Sequence, residues 1–145
     1  QRHLTIPCEM CIRDRASTWP ELEQKWNTYI NRTYATEKDR LVYIDICEIT
    51  SFIIDKLLKD DTTNFSTFFR RVETALNQGD ESTQNLMVVG LIEGLQNMCA
   101  DNYNYYTGFD QWLPPKTKKC WDEVIHFWES EESKRKWDEI QRKVN

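Results

Sequence analysis

Apolar side chains return at three- and four-residue intervals along most of the chain, the pattern of helices that each bury one face. In PELEQKWNTYI, Leu22, Trp26, Tyr29 and Ile30 share a face. Pro20 suits a first helical turn, and Glu21 and Glu23 complement its positive end. A second helix is predicted from about Glu37 to Lys59, with Val42, Ile46, Ile49, Ile53 and Leu57 in one stripe that Cys47, Ile54 and Leu58 widen. Its many β-branched residues would suit a strand, but the segment is too long for one and its apolar positions do not alternate.

DDTTN supplies turn and cap chemistry before a third helix carrying Phe65, Phe68, Phe69, Val72 and Leu76. Gly79 is predicted to stop that helix by taking a positive φ, and Asp80 to cap a fourth running from Glu81 to about Cys99. Between Leu86 and Leu95 the fourth helix is apolar nearly all round, so it is expected to be central and most buried. Gly90 and Gly94 would let another helix approach it closely. Residues 100–115 form an aromatic loop, with Phe109 and Trp112 expected inward and Tyr103, Tyr105 and Tyr106 more exposed. Pro114 and Pro115 close it, and Thr117 can cap a helix whose core stripe is Trp121, Val124, Ile125 and Trp128. After the charge run ESEESKRK, residues Trp137, Ile140 and Val144 predict a terminal turn or two of amphipathic helix. The reading is all-α, with five to six helices in an antiparallel bundle or a HEAT-like stacked array.

Composition agrees: 39% of the 145 residues are hydrophobic and 30% charged, with only four Gly and four Pro, which argues against a turn-dense β-sandwich and against disorder. Nineteen basic against 24 acidic residues leave a net charge of −5, so general nucleic-acid binding is not expected. No apolar run approaches the ~20 residues of a membrane span.

The opening residues change the boundaries. Met10 to Arg15, MCIRDR, resembles the translation of a sequencing-adapter end, so residues 1–15 are expected to be a non-native leader. The expected organisation is then a leader over 1–15, a helical domain over 16–130 and a charged C-terminal helical tail over 131–145. Cys8 and Cys11 have C-x-x-C spacing, but Cys47, Cys99, Cys120 and His126 form no second close pair. No metal and no cofactor are expected. Three cysteines outside the leader, an odd number without framework spacing, suit a reducing, cytoplasmic setting.

Candidate chemistry is sparse. The chain lacks G-x-S-x-G, a phosphate loop, H-E-x-x-H and a dinucleotide fingerprint. Cys120 and His126, six residues apart on a helix, point in nearly opposed directions. Glu93, inside an apolar helix, is either a buried acid or base, or a carboxylate that finds a partner or shares an exposed edge with Asn97. The acids of the second helix carry more weight. Asp45, Glu48 and Asp55 fall within about a quarter turn, Leu41 and Phe52 lie among them, and Asp60 and Asp61 follow. Residues 16–110 hold 15 acidic and 8 basic side chains, net −7, whereas 111–145 hold 7 and 8. This face either docks a basic protein or is a solvated surface with internal pairs, for instance to Arg70 or Arg71. Tyr103, Tyr105 and Tyr106 make a second candidate surface. Residues 100–113 contain no basic side chain to accompany stacking of single-stranded nucleic acid.

The stretches VETALNQGDESTQNLMVVGLIEGLQN (72–97) and YTGFDQWLPPKTKKCWDEVIHFWE (106–129), with WPELEQKW near the start, resemble a family of small, acidic, uncharacterised bacterial helical proteins. The matching residues are mostly core and cap positions, so the resemblance implies a fold more than a mechanism. It also implies an immunity- or antitoxin-like role, in which a non-enzymatic domain covers a basic toxin. The competing expectations are a structural or scaffolding helical domain, and an enzyme built on Glu93 or Cys120.

Overall fold

The computed structural model describes residues 12, 13, 15–34, 41–99 and 102–144. Among them are six helices: α1 (Pro20–Thr33), α2 (Val42–Leu58), α3 (Phe65–Gln78), α4 (residues 81–99), α5 (Pro115–Glu129) and α6 (Glu131–Val144). A single 3-10 turn, Asp110–Trp112, lies between α4 and α5. The stretch from Glu37 to Arg40, where the second helix was expected to start, lies outside the described residues, as do Cys8 and Cys11.

Local chemistry explains most boundaries. Pro20 opens α1 with Glu21 and Glu23 in the first turn. Asp80 caps α4 by accepting a hydrogen bond from the Thr83 backbone N–H at 2.8 Å, which holds its carboxyl below the usual range. Gly79 departs from expectation. Its φ is −75°, not positive; the backbone is extended, and a Cβ there would lie 2.5 Å from the Ala75 carbonyl and 2.8 Å from Thr83 Cβ. Close approach of α3 and α4, not left-handed geometry, requires glycine. The left-handed residues are Asp60 and Asn64, at φ 57° and 71°, in the turn that DDTTN builds between α2 and α3.

Helix α4 is the hub, packing against α2, α3 and α5. Its middle, Leu86–Glu93, is a π-helix between α-helical ends Glu81–Asn85 and Gly94–Cys99. The burial pattern accounts for it. Leu86 and Leu91, and Met87 and Ile92, are fully buried five residues apart, a spacing that i→i+5 turns stack on one side. A Cβ at Gly90 would stand 3.1 Å from Ile46 and 3.5 Å from Tyr43, and one at Gly94 would stand 3.5 Å from Thr50. These two glycines therefore mark where α2 crosses.

The other side of the core is aromatic. Phe109 packs on Phe69, Trp112 and Trp121, and Trp112 lies 4.9 Å from Phe65. Trp19, at the entry to α1, packs at a tilt on Phe52 and Phe68 and donates its indole N–H to the Thr63 carbonyl at 3.2 Å. Ile12 and Ala16 are also fully buried in this core, so packing reaches upstream of the expected leader boundary.

The start of α5 is set by a partner. It begins at Pro115, two residues before the expected cap Thr117, and Thr117 is buried. Glu73 on α3 takes the capping role. Its carboxylate accepts from the Thr117 N–H at 2.7 Å, the Thr117 hydroxyl at 2.9 Å and the Lys116 N–H at 3.0 Å. Helix α6 runs 14 residues, longer than the turn or two expected, and follows α5 after the single residue Ser130.

Candidate interaction surfaces

Helix α2 turns Ile46, Ile49, Thr50, Ile53 and Leu57 into the core, and its outward side carries Leu41, Ile44, Glu48, Ser51, Asp55 and Leu58. Asp45 lies at the edge between the two and is fully buried. This corrects its expected place on an exposed acidic stripe. The Tyr29 hydroxyl donates to Asp45 Oδ1 at 2.9 Å and the Tyr34 hydroxyl to the same oxygen at 2.6 Å. Two phenols from the α1 side replace the water that a carboxylate loses on burial. Burial, and then the hydrogen bond that the phenol donates to the Asp45 carboxylate, push the Tyr29 phenol up to about 12.

The remaining acids divide. Glu48 is exposed on the outward side. Asp55 meets Lys59 at 3.4 Å in an exposed i,i+4 pair. Lys56 bridges Asp61 at 3.0 Å and Glu21 at 2.8 Å, tying the α2–α3 turn to α1. Its ammonium holds both carboxyls below their usual range, and they raise Lys56 in turn. Asp60 is exposed in its left-handed turn position. Arg70 and Arg71 point elsewhere: Arg71 donates to the Ser17 and Thr18 hydroxyls at 2.8 and 3.2 Å, and Arg70 to Thr67. Asp61 is paired by Lys56 of α2, and Asp55 by Lys59 just past its end.

Only one of the three loop tyrosines is exposed. Tyr103 is half-buried against Phe109 and donates to the Gly108 carbonyl at 2.8 Å. Tyr105, also half-buried, receives the Trp121 indole N–H on its carbonyl at 2.8 Å. Tyr106 stacks on Tyr105 and donates its hydroxyl to Glu129, which pushes the phenol up. Tyr103 and Tyr105 are therefore struts of the loop, not outward anchors. Phe109 is fully buried and Trp112 packs on the core, as expected.

The acid–base candidates are separate. Glu93 is half-exposed on the same edge as Asn97, lining with Trp128, Lys134 and Trp137 an open cleft of about 400 Å³. The Cys120 thiol is pushed up by burial, opposite to what an activated nucleophile needs, and His126 is exposed. Among the described residues no group of three or more His, Cys, Asp or Glu could hold a metal ion, and no helix is long and apolar enough to cross a membrane.

The structure adds two surfaces. Leu41 and Ile44 are exposed on the outward side of α2 with Glu48 beside them, Ile44 to 59%, and Tyr43 and Val89 are exposed where α2 and α4 cross. Leu41 and Ile44, three residues apart on the side opposite the core stripe, were the available signal. The second surface is the apolar stripe of α6, where Trp137, Ile140 and Val144 are 55%, 52% and 77% exposed.

The described residues thus fold as an all-helical domain. The chain belongs to a family described as a domain of unknown function (DUF7674), whose model matches residues 14–129. No curated protein and no solved structure matches it.

Proposed function

We propose that this domain is a non-enzymatic protein-binding module whose working surface takes in the exposed Leu41, Tyr43, Ile44 and Val89. The exposure of Leu41 and Ile44 on the outward side of α2 carries the reading. Large apolar side chains left outside a well-closed core are the ordinary material of a docking surface. Glu48 beside Leu41 and Ile44 and the net −7 of residues 16–110 favour a partner with apolar anchors and positive charge. In its specific form the domain is immunity-like and masks a basic toxin, in keeping with the resemblance to small acidic bacterial helical proteins. That form runs through Glu48 and the apolar anchors, because Asp45 belongs to the core and Asp61 is engaged by Lys56. A scaffolding domain is the second reading, favoured by the ion pairs that hold Asp55 and Asp61 within the chain.

The test is affinity capture from the native host with wild-type protein and the Ile44→Asp/Val89→Asp variant in parallel. A partner enriched at least about tenfold by the wild type over the variant is expected from loss of a hot-spot pair. Glu48→Lys should slow association with that partner and flatten its salt dependence. Identical captured proteins for wild type and double variant would overturn the reading.

A further inference from the structure

Helix α4 gives one wall of the open cleft of about 400 Å³, a volume in the range of small-molecule sites. Glu93, the last residue of the π-helical stretch, and Asn97, four residues on, share an edge there. π-Turns inside α-helices recur at functional sites. Between these two residues, the buried Gln96 amide donates to the Trp121 carbonyl at 3.1 Å, which fixes this part of α4 against α5. Trp128 stands two helical turns beyond Trp121 on the same side of α5, yet it is 45% exposed. It lines the cleft together with Trp137 and Lys134 of α6. Among the described residues no ring contact joins the two indoles, so neither fills the space beside the other.

Two opposite charges face this cleft unspent. Among the described residues, the Glu93 carboxylate and the Lys134 ammonium make no ion pair and no side-chain hydrogen bond, with each other or elsewhere. That pattern selects a ligand. A lone cation at Glu93 would meet the like charge of Lys134, and a lone anion at Lys134 would meet Glu93. A neutral sugar would leave both without a counter-charge. A zwitterion answers both, and an apolar group on it covers indole surface.

We propose that the cleft is a binding site for a small zwitterion with an apolar side chain, of the free α-amino acid class. Glu93 and the Asn97 carbonyl oxygen accept from its ammonium, Lys134 donates to its carboxylate, and Trp128 and Trp137 flank its side chain.

Two-dimensional proton–nitrogen NMR of the full chain reads this at the indole N–H groups, with Trp128 and Trp137 assigned from Trp128→Phe and Trp137→Phe. L-Leucine and L-phenylalanine should move both signals, with a Kd of about 1 mM or tighter. Isoamylamine is leucine without its carboxylate, and isocaproate is leucine without its ammonium. Each should bind at least about tenfold more weakly than leucine, because each leaves one charge of the cleft unmet. Glu93→Gln and Lys134→Gln, at positions outside the core, should weaken leucine by a similar factor with unchanged helical circular dichroism. Two results overturn the proposal. One is a pair of indole signals that neither amino acid moves at about tenfold above that concentration. The other is an amine or acid analogue that binds as tightly as leucine, which would mean an apolar cleft without charge recognition; the analogues test this on unaltered protein.

Discussion

Two stretches of this chain are near-copies: Trp121-Asp122-Glu123-Val124 on α5 and Trp137-Asp138-Glu139-Ile140 on α6, each with a lysine four residues before the aspartate. Their fates are opposite. Trp121 is fully buried, packs 4.6 Å from Phe109 and donates to the Tyr105 carbonyl; Trp137 is more than half exposed. Both segments are helical, and both turn the same side of the helix toward whatever lies beside it. α5 finds α3, α4 and the aromatic loop there, whereas Trp137 faces an open cleft that it lines with Glu93, Asn97 and Trp128 and that leaves it half exposed. An amphipathic pattern specifies a face to be buried and leaves open what buries it.

The sharpest break of this comparison is truncation of each tryptophan, read by urea denaturation. Trp121→Ala should cost about 3–5 kcal/mol, the usual loss for a buried large aromatic. The same lesson applies between acids of α2. Asp45→Ala should cost about 1–3 kcal/mol because two phenols lose their acceptor, while Asp55→Ala leaves the unfolding midpoint unchanged. The buried acid also predicts a pH response. Tyr29 ionises near 10.0 when unfolded and near 12 when folded, so the folded state holds its proton longer. Its contribution is complete below pH 10 and is lost as pH rises toward 12. Thermal midpoints from neutral to alkaline pH should fall in that window, and less so in Tyr29→Phe.

Glycines in α4 give a smaller, signed contrast. Gly94→Ala has room beside Thr50 and should stabilise by about 0.5–1 kcal/mol through helix propensity. Gly90→Ala should destabilise, since its Cβ meets Leu86 at 3.0 Å and Ile46 at 3.1 Å inside a packed core. Smallest of all, Trp137→Ala should move stability by no more than about 0.5 kcal/mol. A large stability loss at Trp137 would mean that α6 is folded onto the body.

Asp45 shows why the acidic face was only half legible. Helical geometry placed it correctly within a quarter turn of Glu48 and Asp55, but that arc straddles the edge of the buried side. Which edge residue goes inward depends on Tyr29 of α1 and Tyr34 just past its end, which reach it from another part of the chain. Tyr103 and Tyr105 were misplaced for a similar reason, because their partners, Gly108 and Trp121, are brought to them by the folding of the loop.

Helices, their caps at Pro20 and Asp80, the centrality of α4 and the closeness permitted by Gly90 and Gly94 were all written in the sequence. Each depends on spacing or on chemistry within a few residues, which survives without knowledge of neighbours. The π-turns of α4, the cap that Glu73 lends to α5, the burial of Asp45 and the exposure of the α6 stripe were decided only by tertiary structure. Each depends on which segments pack beside it, or on their failing to do so, and periodicity carries no information about that.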